Sequence, residues 1–244
     1  MDRAEQELAA IRPGLLAVPA VQPGVCPTCR TSVIEPHADC RDCRGSDVRV
    51  VPVSLSLHGG LLHRNLRAYK DGRTRIERDV ATVRLAGMLE VFLRNHLACL
   101  GGPVDLVATV PSENRDAPWR IIRCLERFAD QPENPLRWAE DEGGWRGPIS
   151  AQELERRRVL LLDDTFTTGR SIFAAHRVLT EAGALVVGPV VLGRHIREDY
   201  PPSPGLLRCV RRQECEWTPF RCCLCGGVVC DPPLRSVPPL TIFG

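Results

Sequence analysis

The segment 159–172 constrains the fold of this chain more than any other part of the sequence. Four apolar residues lead to two neighbouring carboxylates, Asp163 and Asp164, and then to a short loop of threonine and glycine. The apolar run predicts a buried parallel strand, whose carboxyl end is where ligands of open α/β sheets bind. The loop opens a helix, so its N–H groups and the helix dipole favour a phosphate. The segment therefore predicts a phosphate site in the loop, beside carboxylates that suit sugar hydroxyls.

The flanking residues alternate between the apolar period of a strand and that of a helix. Short apolar runs predict strands, and apolar residues at helical spacing predict helices between them. This alternation is typical of an α/β domain in which a parallel sheet is flanked by helices and joined by right-handed crossovers. The predicted strands cover residues 48–57, 103–111, 159–162 and 185–192, and the predicted helices cover residues 61–69, 76–99, 118–129 and 171–182.

Three segments lie outside this pattern. A short helical pattern over residues 3–11 stands among prolines, which predicts a partly disordered leader. Residues 130–158 lose periodicity and gain glycine and proline, which predicts a long mobile lid with a helical fragment over residues 151–157. The sequence thus predicts a leader with a cysteine module (1–47), a core (48–196) and a proline- and cysteine-rich tail (197–244).

The cysteines of the N-terminal part form two C-x-x-C pairs, Cys26 with Cys29 and Cys40 with Cys43, separated by ten residues. Each pair predicts a knuckle, and four thiolates suit a tetrahedral zinc ion. A four-cysteine site leaves no coordination position open, so its expected role is structural. The sequence therefore predicts a small zinc-knuckle module with Zn²⁺ as its cofactor.

The cysteines of the C-terminal tail are denser but less regular, and only Cys222 and Cys225 form a C-x-x-C pair. Their spacing is equally compatible with a second zinc site and with redox-active or buried thiols. Cys99 and Cys124 fall in predicted helices and are assigned to the core. A second zinc site would take its ligands from Cys209, Cys215, Cys222 and Cys225, with Cys230 as a further candidate.

Net charge and hydropathy bear on the partners and the location of the protein. The formal net charge is only +2, so bulk electrostatics give no reason to expect a nucleic-acid partner. No run of about 18 or more apolar residues occurs, and the N-terminus has no basic stretch followed by an apolar run. We therefore expect a cytoplasmic protein without a membrane span or signal peptide.

Segment 159–172 resembles the motif that binds 5-phosphoribosyl-1-pyrophosphate (PRPP) in type I phosphoribosyltransferases. It has four apolar residues, an acidic pair, two variable residues, Thr-Thr-Gly and a hydroxyl residue two places on. The resemblance implies that Asp163 and Asp164 hold the ribose 2′ and 3′ hydroxyls and act in catalysis, with Mg²⁺ accompanying PRPP. The loop residues implied in PRPP binding, mostly around its 5-phosphate, are Thr165, Phe166, Thr167, Thr168, Gly169, Arg170 and Ser171.

The order of the motifs along the chain is similar to that of the competence protein F family. The four-cysteine module precedes a Tyr-Lys-x-Gly-like element with Lys70, the only lysine, then Val110-Pro111, then the PRPP motif. The resemblance covers residues 26 to about 193. It implies a zinc-knuckle module before a type I phosphoribosyltransferase core, Lys70 among the PRPP-binding residues, and a PRPP-linked role. Nucleic acid through a competence-type role and a homodimer remain open as partners.

The chain departs from this family where the pyrophosphate is bound. The family follows its Val-Pro with an Arg-x-Arg-Gly-aromatic-Asn element, of which residues 112–120 keep only Arg115 and Arg120. Arg115 is therefore the catalytic candidate at the pyrophosphate. The family's lid, with its Gln and Ser, is also absent from residues 130–150, where Arg137 and Arg146 are the available cations. Each of these arginines is equally well explained as a solvated surface charge.

Two functions from different classes follow from these motifs. In the first, the chain is a phosphoribosyltransferase that transfers the ribosyl group of PRPP to an unidentified nitrogen nucleophile with release of pyrophosphate. In the second, it is a non-catalytic PRPP-sensing or DNA-uptake accessory protein whose zinc modules are docking surfaces. The altered pyrophosphate element favours the second, and the intact PRPP motif favours the first.

Overall fold

The structure is a computed structural model that describes residues 1–33, 39–111, 117–140, 146–150, 154–197 and 217–225. Short 3-10 turns join some of its elements. In chain order the helices and strands are α1 (Arg3–Ile11), β1 (Val51–Leu57), α2 (Leu61–Asp71), α3 (Arg75–His96), β2 (Leu106–Thr109), α4 (Ala117–Ile122), β3 (Leu136–Glu140), β4 (Arg146–Ser150), β5 (Arg158–Phe166), α5 (Arg170–Glu181) and β6 (Leu185–Ile196).

The central sheet has four strands in the order β1-β6-β5-β2, and every neighbouring pair is parallel. The four strands and four helices of the predicted alternating pattern are all present, although α4 ends at Ile122 and is followed by a 3-10 turn at Glu126–Phe128. The α/β class with a parallel sheet flanked by helices is therefore confirmed.

Alternate residues of β5 enter different hydrophobic clusters, as the two-residue period of a strand requires. Leu160 and Leu162 pack with residues of α1, α2 and α3 on one face of the sheet. Val159 and Leu161 pack with α5 and with three of the N-terminal cysteines on the other face. Both faces of the sheet are thus covered, which explains why the strand is an unbroken apolar run.

The leader contributes a helix to the core. Asp2 accepts a hydrogen bond from Glu5 N at 2.9 Å, and the Glu5 carboxylate accepts one from Asp2 N at 3.0 Å, so a capping box begins α1. Gly87 in α3 permits the close approach of α1, because a Cβ there would lie 2.7 Å from the Ala4 carbonyl oxygen. Leu8 is buried in the same cluster as α3. The partly disordered leader that the prolines suggest is therefore not what forms.

The segment 130–158 contains a hairpin where a structureless lid was expected. β3 and β4 pair antiparallel, from Leu136 opposite Ser150 to Glu140 opposite Arg146. Residues 154–157 carry no helix, so the helical fragment predicted over 151–157 is wrong for these residues. Positions 151–153 lie outside the described part of the chain.

The outer edge of β2 is covered by two amide side chains. Val107 N donates to Gln131 Oε1 at 2.9 Å, and Thr109 N donates to Asn134 Oδ1 at 3.0 Å. The side-chain nitrogens of Gln131 and Asn134 in turn donate hydrogen bonds to the carbonyl oxygens of Val107 and Thr109. The amides therefore replace the missing neighbouring strand and close an edge that would otherwise be open to pairing.

The described part of the tail, residues 217–225, folds back on the core. Trp217 and Cys223 are buried in the cluster that contains α1 and α3. Trp217 Nε1 donates to the Val53 carbonyl oxygen of β1 at 2.9 Å. Within the described ranges, no helix combines the length and the apolar character that crossing a membrane requires.

Candidate functional site

A cavity of about 670 Å³ opens at the carboxyl end of the sheet. Its walls come from the residues that end or follow β2, β5 and β6, from α2 and from the start of α4. This is the edge at which the sequence predicted ligand binding. Of the predicted PRPP-binding residues, those that line the cavity are Lys70, Asp163, Asp164, Thr165, Thr167 and Ser171.

The acidic pair faces the only lysine of the chain. Lys70 Nζ lies 2.5 Å from Asp164 Oδ2, and the Asp164 side chain is 3 % exposed against 28 % for Lys70. The contact is an ion pair without the angles of a hydrogen bond, so among the described residues the buried Oδ2 has no hydrogen-bond donor. A buried carboxylate oxygen in this state is a ready acceptor for a ligand hydroxyl or a cation.

Burial raises the pKa of both carboxyl groups. The pKa of Asp163 rises to about 6, while a hydrogen bond from Asp164 N and the charge of Lys70 oppose the rise. The pKa of Asp164 rises to about 7, with hydrogen bonds from Thr165 opposing it. At 2.5 Å the Lys70 ammonium favours the ionised form of Asp164 as well. Carboxyl groups perturbed by burial and a charge partner in a cavity mark a candidate functional site.

The loop between β5 and α5, here named the phosphate loop (165–171), presents exposed hydroxyls and an uncapped helix. The side chains of Thr167 and Ser171 are exposed and line the cavity. Gly169 is the N-cap of α5 and has a φ of 83°, and no side chain caps the helix. A Cβ at Gly169 would lie 2.6 Å from ring atoms of Phe166 and Phe173. The first N–H groups of α5 are therefore available to an anion.

Phe166 supports the phosphate loop from behind. Its side chain is 1 % exposed and packs edge-on against Phe173, with ring centroids 5.9 Å apart. The Arg194 guanidinium lies 4.9 Å from the centroid of the Phe166 ring. Phe166 was predicted to bind PRPP, but its side chain does not line the cavity, and neither do Thr168, Gly169 and Arg170.

Three histidines cluster at the same edge of the sheet, and the sequence did not identify them. The ring centroids of His58 and His63 are 4.7 Å apart, and those of His63 and His195 are 5.2 Å apart. His63 and His195 line the cavity. His58 directly follows β1 and His195 lies near the end of the neighbouring strand β6. The carboxyl ends of adjacent parallel strands lie at the same edge of a sheet. The positions of His58 and His195 at two predicted strand ends could therefore have indicated that these histidines lie at the ligand-binding edge.

Both cavity histidines are held neutral. Burial, then the nearby His63 and His58, lower the pKa of His195 to about 4. Burial also lowers the pKa of His63. Gly59 N donates to His63 Nδ1 at 3.1 Å, so the neutral ring carries its proton on Nε2. The cavity therefore offers polar but uncharged groups beside the acidic pair.

The N-terminal cysteines meet as predicted, with the four sulfur atoms within 4.8 Å of one another. Cys29 Sγ and Cys40 Sγ are 3.7 Å apart. Arg30 N donates to the Cys26 carbonyl oxygen at 2.9 Å and Cys43 N to that of Cys40 at 3.1 Å, so each pair is a turn. Zn–S bonds of about 2.3 Å give a tetrahedron with edges of roughly 3.8 Å. These thiols fit a tetrahedral metal ion.

A second cluster joins the tail to the core. His96, Cys99, Cys222 and Cys225 place their ligand atoms within 4.8 Å of one another. Cys222 and Cys225 are members of the predicted second set, whereas Cys209 and Cys215 lie outside the described residues. The assignment of Cys99 to the core is thus corrected: it is half-buried in this cluster. Cys124 is also not a core residue, because α4 ends before it and its side chain is exposed.

The arginines proposed for pyrophosphate are only partly described. Arg115 and the side chain of Arg146 lie outside the part of the chain that the structure describes. Arg120 donates from Nη2 to the Tyr69 carbonyl oxygen at 2.7 Å, which ties α4 to α2. Arg137 is exposed on β3. Neither Arg120 nor Arg137 lines the cavity.

Comparison with known proteins gives short matches to phosphoribosyltransferases. The chain is 47 % identical over 45 residues to the adenine phosphoribosyltransferase of Mycolicibacterium gilvum (strain PYR-GCK), which is 18 % of this chain and 25 % of that protein. It is 44 % identical over 61 residues to the adenine phosphoribosyltransferase of Nocardia farcinica (strain IFM 10152), 22 % of this chain and 32 % of that protein. The chain thus spans only a quarter to a third of the length of these relatives.

The structural comparison is weaker still. The crystal structure of a purine phosphoribosyltransferase from Pyrococcus horikoshii Ot3 aligns with 49 % of this chain and 91 % of its own, at 16 % identity and a TM-score of 0.34. No model of a known protein family matches this chain.

Proposed function

We propose that the chain binds Mg-PRPP in the cavity and transfers the 5-phosphoribosyl group to a nitrogen nucleophile with release of pyrophosphate. The observation that carries the proposal is the acidic pair at the carboxyl end of β5, where Asp163 and Asp164 share the cavity with Lys70 and the phosphate loop. The short identity to two adenine phosphoribosyltransferases supports the same class of reaction.

The phosphate loop suits the 5-phosphate. The hydroxyls of Thr165, Thr167 and Ser171 line the cavity, and the uncapped N-terminus of α5 adds backbone N–H donors and its dipole. The ribose hydroxyls then donate to Asp163 and Asp164. Hydrogen bonds to charged groups contribute about 1.5–3 kcal/mol each, so this pair supplies much of the affinity.

The donor set also fits Mg²⁺, which prefers carboxylate and phosphate oxygens. Asp164 Oδ2 is a buried oxygen without a hydrogen-bond donor among the described residues, and Asp163 lies beside it. These two carboxylates would hold the ion, directly or through its waters. When bound, Mg²⁺ neutralises charge on the pyrophosphate leaving group.

The reaction breaks the bond from ribose C1 to the pyrophosphate oxygen, forms the bond from C1 to nitrogen, and releases the proton of that nitrogen to solvent. Positive charge develops at C1, and the ionised Asp163 and Asp164 stabilise it. Lys70, together with Arg115 as the sequence predicts, attracts the departing pyrophosphate. We propose that His63 and His195 face the nucleophile, because they are neutral polar side chains of the cavity that lie outside the acidic pair and the phosphate loop.

The wider setting of this activity is also a proposal. The order of the zinc-knuckle module, Lys70, Val110-Pro111 and the PRPP motif supports membership of the competence protein F family. Zn²⁺ at the N-terminal cysteines would be structural, since four protein ligands leave no open position. Thiols kept as metal ligands agree with the cytoplasm as the location.

Pyrophosphate release is the direct test of this proposal. We expect release from PRPP that requires Mg²⁺ and at least one member of a panel of purine and pyrimidine bases, ammonia and simple amines. The double variant Asp163→Asn/Asp164→Asn should lose this release. Asp105→Asn is the matched control, because Asp105 lies at the opposite end of the sheet and accepts a hydrogen bond from Arg158 N at 2.8 Å, which an amide oxygen can keep.

The same experiment separates the two functions. PRPP binding without release by any member of the panel would favour the non-catalytic sensing or DNA-uptake role. Absence of PRPP binding by the native protein would contradict both.

A further inference from the structure

A second group of metal-ligating side chains lies where α3 ends, and none of its members lines the cavity. His96 is the last residue of α3, and Cys99 follows within one turn. Cys222 and Cys225 form a turn in which Cys225 N donates to the Cys222 carbonyl oxygen at 3.2 Å. This is the backbone of a knuckle, and the helix end supplies the opposing pair.

The four ligand atoms lie close enough together to surround one metal ion. Cys225 Sγ lies 3.0 Å from Cys222 Sγ and 3.4 Å from Cys99 Sγ. His96 Nδ1 lies 3.9 Å from the sulfur of Cys99 and 3.8 Å from that of Cys225. A tetrahedral zinc ion with Zn–S bonds of about 2.3 Å has edges of roughly 3.8 Å. The two distances from His96 Nδ1 match that edge, and the two sulfur–sulfur distances are shorter than it, so Cys225 Sγ would move away from its two sulfur neighbours when zinc binds.

The orientation of His96 points to the same conclusion. Its Nε2 lies 3.0 Å from the Pro219 carbonyl oxygen. A carbonyl can only accept, so Nε2 carries the proton and Nδ1 directs its lone pair towards the sulfurs. Histidines that bind metals usually donate their other ring N–H to a carboxylate or a backbone carbonyl. Pro219 belongs to the segment that carries Cys222 and Cys225, so one segment supplies two ligands and orients a third.

We propose that His96 Nδ1 and the sulfurs of Cys99, Cys222 and Cys225 hold a second structural zinc ion. This ion fastens residues 217–225 to the end of α3. It keeps Trp217 buried against β1, where its Nε1 donates to the Val53 carbonyl oxygen at 2.9 Å. The four protein ligands close the site, so its role is to hold the fold together.

Cys225 forms a disulfide in this structure, and its partner is neither Cys99 nor Cys222, because neither of those two cysteines is in a disulfide. That disulfide is the competing state, since a disulfide-bonded sulfur is not a thiolate ligand for zinc. A disulfide joins only two sulfurs. It explains neither the approach of both Cys99 and Cys222 to Cys225 nor the orientation of the His96 ring towards them. A zinc ion explains all of these features together.

Elemental analysis of the full chain, purified under reducing conditions without added metal, tests the proposal. The wild type should contain about two zinc ions per chain, and Cys99→Ser and Cys222→Ser about one. Cys124→Ser is the matched control and should keep about two, because Cys124 is an exposed thiol outside both clusters. The zinc that remains in the first two variants reports that the N-terminal site is intact.

Hydrogen exchange of residues 217–225 gives a second readout. Exchange there should accelerate in Cys99→Ser and Cys222→Ser and stay unchanged in Cys124→Ser, because loss of the ion frees the segment. A wild type with about one zinc ion would overturn the proposal. So would wild-type zinc content in both Cys99→Ser and Cys222→Ser, or a Cys225 that resists alkylation in wild-type protein that is purified and denatured without any reductant.

Discussion

The guanidinium of Arg194 lies 4.9 Å from the centroid of the Phe166 ring, and its Nη1 donates to the Phe166 carbonyl oxygen at 3.1 Å. Phe166 ends β5 and begins the turn into the phosphate loop. Its ring shares a buried cluster with three of the four N-terminal cysteines. Arg194 therefore holds the start of the phosphate loop, and Phe166 connects that loop to the N-terminal four-cysteine cluster.

The first prediction concerns Arg194, which does not line the cavity. Arg194→Met keeps much of the side-chain bulk but removes the hydrogen bond to Phe166, so the phosphate loop is held less firmly. We expect Mg-PRPP affinity to fall by about 1.5 kcal/mol, or roughly tenfold, in calorimetric titrations. Arg177→Met on the exposed face of α5 is the control and should bind like the wild type. Equal affinity of the two variants would contradict a positioning role for Arg194.

The second prediction concerns removal of zinc. The N-terminal cysteines pack in the same cluster as Leu161 and Phe166, so loss of their metal should disturb the strand that carries the acidic pair. We expect a zinc-selective chelator to lower Mg-PRPP affinity as it releases zinc, and restored zinc to recover it. Released zinc and bound PRPP are measured on one sample. Full affinity after release of all zinc would show that the module is independent of the site.

The third prediction is a pH dependence of PRPP binding. The folded pKa values of Asp163 and Asp164, about 6 and about 7, lie above the usual 3.8. The ionised carboxylates accept hydrogen bonds from the ribose hydroxyls. The affinity for Mg-PRPP should therefore fall as the pH drops through 7 and then 6. Asp163→Asn/Asp164→Asn is the control, because any pH dependence that it keeps belongs to the ligand. Identical pH profiles for the two proteins would contradict the assignment.

The same raised pKa values also affect folding stability, which changes with pH in the direction opposite to PRPP affinity. Between about pH 4 and about pH 7 the folded state binds more protons at these two groups than the unfolded state does, so their contribution to stability is lost as the pH rises. The double Asn variant has no such loss. The free energy of unfolding in urea is measured for both proteins at about pH 5 and about pH 8, which lie roughly one unit below and one unit above the two pKa values. The free energy of the double Asn variant minus that of the wild type should be larger at the higher pH. A constant difference would contradict the raised pKa values.

The fourth prediction separates two contributions to the loss of stability when Gly169 is replaced by alanine, namely backbone strain and steric overlap with neighbouring rings. Gly169 and Gly59 both have positive φ, at 83° and 75°, but an added Cβ contacts two rings only at Gly169 and meets nothing within 4 Å at Gly59. We expect Gly59→Ala to cost about 1 kcal/mol of unfolding free energy from backbone strain alone. Gly169→Ala should cost about 3 kcal/mol because steric overlap adds to it. Urea unfolding measures both, and equal costs would mean that the rings of Phe166 and Phe173 move aside freely.

The elements predicted well are those whose signal is local. The run from Val159 to Leu162 is apolar because both faces of β5 are covered, and the acidic pair and phosphate loop follow it directly in sequence. The hairpin of β3 and β4 was missed because its residues contain glycine and proline and do not alternate. Two strands that pair mainly with each other leave a weak pattern.

The parts of the sites that the sequence missed depend on contacts between distant segments. His58 and His195 meet because β1 and β6 are neighbours in the sheet, and that order is not encoded in either strand alone. Cys99 was assigned to the core because it falls at the end of the helix predicted over residues 76–99. Its contact with Cys225 exists only because the tail folds back on that helix.

The central claim is that Asp163 and Asp164 bind the ribose of PRPP. Isothermal titration of Mg-PRPP into the wild type, Asp163→Asn/Asp164→Asn and the control Asp105→Asn tests it most directly. The wild type and the control should bind alike. The double variant should lose about 2 kcal/mol or more, roughly 30-fold in affinity, because the hydrogen bonds to ionised carboxylates are lost. Undiminished binding by the double variant, or no binding by the wild type, would contradict the account.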